Sequence, residues 1–152
     1  ADHGTLMALH HPPIPSPMCP VAEVIQLLET DRLAAVVAGS DVRAILGGHY
    51  HFSSHSTFAG VPVSVAAATC YLADPAPLGR FISAVDGNTS VNAVHVYADR
   101  VVHTIVPVPD APEVSGFGAD VAPLVEALNP EERRDMFSRK DSEFNQPTST
   151  PG

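Results

Sequence analysis

Basic residues are scarce in this chain, and their scarcity argues against one large class of function. Eight lysines and arginines stand against seventeen aspartates and glutamates, which gives a formal net charge of −9. A protein that binds a nucleic-acid polymer needs clustered positive charge to displace counterions from the phosphate backbone. We therefore expect no nucleic-acid polymer as a partner, and a small anionic substrate would need a local cation such as a metal ion to attract it.

Cysteines and long apolar runs are scarce as well. Cys19 and Cys70 are too few and too far apart for a disulfide framework or a zinc knuckle, so we expect free thiols and a cytoplasmic location. The N-terminal stretch ADHGTLMALHH has no basic segment, and no apolar run in the sequence approaches the length that crosses a bilayer. The sequence thus predicts neither a signal peptide nor a transmembrane segment.

The apolar runs that are present predict an α/β fold. Residues 5–9 and 41–46 are typical of buried strands, and the prolines of 11–20 exclude a regular helix directly after the first strand. The spacing of apolar residues predicts a helix over 21–29 and a further helical segment over 31–39. This order is that of a βαβ unit, in which a right-handed crossover joins two parallel strands.

Two β-hairpins are predicted after this unit. Residues 57–68, with a turn at 59–60, and residues 92–107, with a turn at 98–100, have the composition of paired strands. The stretch 72–90 contains prolines and glycines and has no clear pattern. We therefore expect a sheet made of the βαβ unit and hairpins.

The pattern loosens beyond residue 107. We assign 1–107 to a folded segment and 108–152 to a C-terminal extension. The extension is predicted to hold a short helix over 121–128 and then a flexible, solvated tail.

Histidines follow both predicted strands of the βαβ unit. His10 and His11 come directly after the first strand, and His49 and His51 come after the second. The carboxyl ends of parallel strands lie at the same edge of a sheet, so we expect these imidazoles to meet there. An extended backbone would point His49 and His51 to the same side, and imidazole is a ligand for zinc, iron and manganese. Together, HHPP and GHxH predict a metal site.

Four stretches of the sequence carry a family resemblance: GTLMALHHPPIPS, SDVRAILGGHYH, TFAGVPVSVAAATCY and VHVYADRVVHTIVP. With them the chain resembles the calcineurin-like metallophosphoesterases, and within these the class III cyclic-nucleotide phosphodiesterases. The resemblance implies the C-terminal portion of an α/β metallophosphoesterase β-sandwich flanked by helices. It also implies two divalent metal ions, either iron, manganese or zinc, and a cyclic nucleotide or related phosphodiester as substrate.

The resemblance assigns roles to individual histidines. It makes His10 and His49 ligands of the second metal ion and His51 a ligand of the first. We expect His11 to hold the loop or the surroundings of the metal. His55, just past the ligand segment, either lines the pocket or is a solvent-exposed loop residue.

The first motifs of that family, DxH, GDxxD and GNH[DE], do not occur in these 152 residues. Three hypotheses follow. The chain is the C-terminal part of a dinuclear phosphodiesterase that hydrolyses 3′,5′-cyclic AMP or similar diesters. Alternatively, it is a truncated, inactive remnant that folds, alone or as a homo-oligomer, and binds metal or a partner. The third hypothesis, an α/β interaction domain with incidental histidines, is disfavoured by the HHPP and GHxH pair.

Overall fold

The computed structural model describes residues 3–18, 24–75, 83–108, 120–139 and 141–142, and these residues form eight strands and three helices. The chain divides into two units, residues 1–110 and residues 111–152. The elements of the first unit are β1 (Thr5–Ala8), α1 (Thr30–Val37), β2 (Val42–Gly47), β3 (Ser54–Phe58), β4 (Val61–Val65), β5 (Leu72–Asp74), β6 (Ser83–Val85), β7 (Ser90–Val96) and β8 (Val101–Pro107). Those of the second unit are α2 (Val121–Ala127) and α3 (Pro130–Phe137).

A four-stranded sheet with the strand order β1-β2-β4-β3 forms the centre of the first unit. β1, β2 and β4 are parallel, whereas β3 pairs antiparallel with β4. The two inner strands supply the most deeply buried side chains, such as Ile45 and Val65, neither of which is exposed at all. The predicted mixed α/β architecture is confirmed, with strands as the dominant element.

The βαβ unit is confirmed, but β1 differs from its prediction. β1 and β2 pair in parallel, with Ala8 opposite Leu46. The expected full burial of the first strand is wrong, because its residues alternate between half-buried and exposed and Leu6 is 38% exposed. The physical reason is its place at the edge of the sheet, where only one face of the strand packs on the core.

The predicted helix over 21–29 is also wrong for the residues that can be compared; 21–23 lie outside the described residues. Val24 and Leu28 are 77% and 73% exposed, so these two residues of the predicted apolar face do not pack on the core. The backbone N–H of Leu27 instead donates to the carbonyl of Pro12 at 3.0 Å. Glu29 has a φ of 52°, so a helix cannot run continuously through it into α1.

Both predicted hairpins are confirmed. The β3–β4 turn falls on Ala59 and Gly60, whose φ angles of 49° and 81° match the left-handed turn that such hairpins favour. β7 and β8 pair along their whole length, and the guanidinium of Arg43 donates to the carbonyl of Tyr97 at 2.7 Å. That bond ties the tip of the second hairpin to β2.

The patternless stretch contains two short strands, β5 and β6, which pair antiparallel. In the second unit the predicted short helix is confirmed as α2, but α3 was not foreseen. Its signal is local: the Asn129 side chain accepts from the N–H of Glu132, whose carboxylate accepts from the N–H of Asn129. Of the helices that the structure describes, none has the length and apolar character to cross a membrane.

Candidate metal centre

The loops that carry the histidines extend the pairing of β1 and β2 beyond the strand ends. The N–H of Leu9 donates to the carbonyl of Leu46 at 2.9 Å, and the N–H of Gly48 donates to the carbonyl of His10 at 3.2 Å. These bonds hold the HHPP loop against the GGHYH loop at the carboxyl edge of the sheet. This is the edge at which ligands gather in parallel sheets.

Three histidine rings, those of His10, His11 and His49, meet at this edge of the sheet, which we call the histidine edge. The ring centroids of His10 and His49 are 4.5 Å apart, and those of His11 and His49 are also 4.5 Å apart. The rings of His10 and His11 lie 5.1 Å apart, edge to face. His11, which the sequence assigned to a supporting position, therefore lies as close to His49 as His10 does.

The backbone around His49 and His51 is not extended, which corrects the expected geometry. Both residues have left-handed φ angles, 69° and 58°, and the N–H of Tyr50 donates to the carbonyl of Gly48 at 2.8 Å in a tight turn. Tyr50 is 1% exposed, and its hydroxyl donates to the carbonyl of Ile14. A left-handed conformation costs roughly 1–2 kcal/mol per residue. The burial of Tyr50 offsets this cost and fixes the turn that presents both histidines.

Gly47 permits the close approach of the two loops. A Cβ atom at this position would lie 3.2 Å from the Cβ of Pro12 and 3.3 Å from Cγ2 of Val65. Both neighbours are fully buried and have no room to move away. A larger residue at position 47 would therefore push the proline loop, and His10 and His11 with it, away from His49.

His51 has two neighbours that sequence reasoning missed. Its ring lies 4.3 Å from that of Tyr71 with an interplanar angle of 33°, and its Nδ1 is 3.8 Å from Sγ of Cys70. Cys70 is exposed, and its thiol is free as expected. Both neighbours come from the ATCY stretch, about 20 residues along the chain, and no local pattern marks them as partners of His51.

His55 lies apart from the three converging rings. It sits exposed on β3, opposite Ser64 of β4. It lines a cavity of about 490 Å³ with Phe52 and Pro15, whereas His49 and His51 line a different cavity. Among the described residues, His55 and the pair His49 and His51 thus line separate cavities.

The environment of His49 disfavours a charged imidazole. Partial burial lowers the pKa of His49 below the ordinary histidine value, and the charges of His10, His11 and His51 lower it further. The neutral ring is the form that ligates metal ions.

The donor set can be tested against a metal centre by its chemistry. His10, His11 and His49 supply imidazole nitrogens, which suit zinc, iron and manganese. Within the part of the chain that the structure describes, no group of three or more His, Cys, Asp or Glu side chains is arranged to hold a metal ion. The cluster therefore offers the right donor type for one ion, but neither a finished coordination geometry nor the carboxylate that two dications require.

Comparison with known proteins adds a finding to this geometry. The chain is similar to two bacterial proteins that are named as cyclic-nucleotide phosphodiesterases, one of them as a probable one. It is 46% identical over 117 residues to a Mycobacterium tuberculosis protein named cAMP/cGMP dual specificity phosphodiesterase, covering 77% of this chain and 36% of that protein. It is 48% identical over 112 residues to a Rhodococcus erythropolis protein named probable cyclic nucleotide phosphodiesterase, covering 70% of this chain and 35% of that protein.

The chain thus spans about a third of the length of the curated relatives it matches. No protein-family model matches it. The similarity covers most of the chain but only a minor part of each relative.

Proposed function

We propose that this chain is the part of a metal-dependent phosphodiesterase that supplies imidazole ligands from the carboxyl edge of β1 and β2. The substrate class is a cyclic nucleotide or a related phosphodiester. The fold is the C-terminal portion of a calcineurin-like metallophosphoesterase sandwich. The observation that carries the proposal is the convergence of His10, His11 and His49, whose rings lie within 4.5–5.1 Å of one another.

Two further observations support the proposal. The relatives reported above are named as a cAMP/cGMP phosphodiesterase and a probable cyclic nucleotide phosphodiesterase, and they are 46% and 48% identical to this chain over their matched segments. The histidine loop also carries backbone strain, because His49 and His51 both have left-handed φ angles. Strained non-glycine residues held in place by a rigid surround are typical of functional sites.

Each histidine has a role in this proposal. His10 and His49 would ligate one metal ion and His51 a second, while His11 packs against the ring of His49. Bound divalent ions would lower the pKa of a water molecule and offset the charge of the phosphodiester. The contribution of the chain is to fix the imidazoles, through the buried Tyr50 and the close approach at Gly47.

A second candidate function is metal or partner binding without turnover. It is favoured by one observation: the described residues around the three histidines contribute no carboxylate to a metal-holding group. Imidazoles alone bring no negative charge, so they hold a pair of dications poorly. In the first proposal, carboxylate ligands would come from the portion of such proteins that this chain does not span.

The experiment that separates the two functions is a chimera. The segment of the Mycobacterium tuberculosis relative that matches this chain is replaced by the chain itself, and manganese-dependent hydrolysis of cyclic AMP is measured. We expect turnover by the chimera and near-background turnover by the 152-residue chain alone. His49→Ala should lower turnover of the chimera by about a hundredfold or more through loss of a ligand.

The matched control is His95→Ala, since His95 is exposed on β7. Turnover of the chimera should be unchanged by this substitution. A folded chimera that does not turn over, or one that is indifferent to His49→Ala, would contradict the phosphodiesterase proposal. A folded but inactive chimera that still binds zinc would support the second function.

A further inference from the structure

A cavity of about 300 Å³ opens beside the histidine edge. His49 and His51 form one side of it, and Ile25, Ala73 and Tyr71 contribute apolar and aromatic surface. This volume is at the lower end of the range for pockets that bind small ligands. The described residues that line the cavity include no carboxylate, so no negative side chain among them repels an anionic ligand.

The two tyrosines that line this cavity differ in what they offer a ligand. Tyr50 is 1% exposed and packs with Phe52 at a ring distance of 5.3 Å, so it belongs to the core. Tyr71 is 43% exposed, although one side of its ring packs against His51. Exposed aromatic rings beside a polar site are platforms on which flat rings stack.

We propose that this cavity is the nucleobase subsite of the chain and that Tyr71 is its specificity-determining residue, an inference that rests on the proposed function. A cyclic nucleotide has a charged diester at one end and a flat aromatic base at the other. With the diester at the imidazoles of His49 and His51, the base reaches the wall formed by Tyr71 and Ile25. Stacking on Tyr71 would then favour nucleotide diesters over diesters without a base.

The test uses the ¹⁵N-labelled 152-residue chain and follows binding by NMR, without any need for turnover. The probes are adenosine, ribose and ribose 5-phosphate. We expect adenosine to shift the resonances of Tyr71 and of residues 49–51, and to bind about tenfold more tightly than ribose through base stacking. Tyr71→Ala should remove this advantage, whereas Tyr71→Phe should retain it.

Tyr97→Ala is the matched control, because Tyr97 is an exposed tyrosine, 54% accessible, at the tip of the β7–β8 hairpin. It should leave adenosine binding unchanged. Equal binding of adenosine and ribose, or unaltered adenosine binding by Tyr71→Ala, would overturn the inference.

A zinc titration of the same samples distinguishes a failure of the nucleobase subsite from a failure of the proposed function. Zinc binding without an adenosine preference contradicts only the nucleobase subsite, whereas absence of both zinc and ribose 5-phosphate binding contradicts the proposed function. If Tyr71→Ala weakens zinc binding as much as it weakens adenosine binding, Tyr71 acts by positioning His51, and the subsite is refuted.

Discussion

The histidines at the carboxyl edge of the sheet and His103 on the β7–β8 hairpin, both in the first unit, have the same side-chain chemistry, but the first lie beside an open cavity and the ring nitrogens of the second are packed away from solvent. At the carboxyl edge of the sheet, His49 meets His10 and His11 beside an open cavity. On the β7–β8 hairpin, both ring nitrogens of His103 are buried and make no hydrogen bond within the described residues. Burial lowers the pKa of both His49 and His103. The same direction of shift thus accompanies a site open to ligands in one place and a packing position in the other.

The difference teaches that backbone geometry is a better guide to function here than imidazole titration. His49 and His51 are held in left-handed conformations, whose backbone cost is offset by the burial of Tyr50 between them. His103 lies in a regular ladder opposite Val94, on a hairpin whose Asn92 donates to the hydroxyl of Ser64 at 3.1 Å. We therefore expect substitutions to separate the two groups.

The largest expected effect is on metal affinity. His49→Ala should weaken zinc binding by the 152-residue chain by about a hundredfold, because it removes the ring that contacts both His10 and His11. Competition with a chromophoric chelator measures the change. His103→Ala is the comparison and should leave zinc affinity within twofold of the parent; an equal loss in both variants would erase the distinction between the two groups.

A smaller effect, on stability, is expected from adding a side chain at Gly47, where the HHPP and GGHYH loops approach each other closely. Gly47→Ala places a Cβ against Pro12 and Val65, both fully buried, and should lower the free energy of unfolding by about 1–3 kcal/mol. Chemical denaturation measures this change. Gly87→Ala is the control, because nothing lies within 4 Å of a Cβ there; comparable losses from both substitutions would argue against a tight contact at Gly47.

The anchor of the histidine turn should show an effect of about 1 kcal/mol. Tyr50→Phe removes the hydroxyl that donates to the carbonyl of Ile14, leaving that buried carbonyl without this donor. Denaturation should show the loss of stability, and zinc affinity should fall modestly because the left-handed turn loosens. Tyr97→Phe is the exposed counterpart. Unchanged stability in Tyr50→Phe would show that the hydroxyl bond does not hold the turn.

The smallest effect is a pH dependence at the hairpin. Burial, and then the charge of His55, lower the pKa of His103, so the unfolded chain binds a proton more readily than the folded chain does. Stability should therefore be fully present above the ordinary histidine pKa of about 6.5 and decline as the pH falls below it. Thermal unfolding between pH 5 and about pH 8 measures this decline. In His103→Leu the decline should be smaller; an identical pH profile would assign it to other groups.

The histidine edge was partly predictable from sequence. The order of strand, crossover and strand predicts that His10 and His49 come to one edge, because parallel strands end on the same side. The left-handed turn was not predictable, since it depends on burying Tyr50 beneath the proline loop. The helix predicted over 21–29 was wrong over its described residues, 24–29, because a hydrogen bond to Pro12, distant in sequence, overrides local spacing.

The sequence by itself determined the β1–β2 unit, the hairpins β3–β4 and β7–β8, the turn at Ala59 and Gly60, and the two histidine motifs, because these follow from periodicity and turn chemistry along the chain. Only the tertiary structure decided which side chains contact the histidines of these motifs. Tyr71 and Cys70 join His51, and His55 turns to a separate cavity. Such contacts depend on how distant segments pack, and no periodicity along the chain encodes the distance between residues about 20 positions apart.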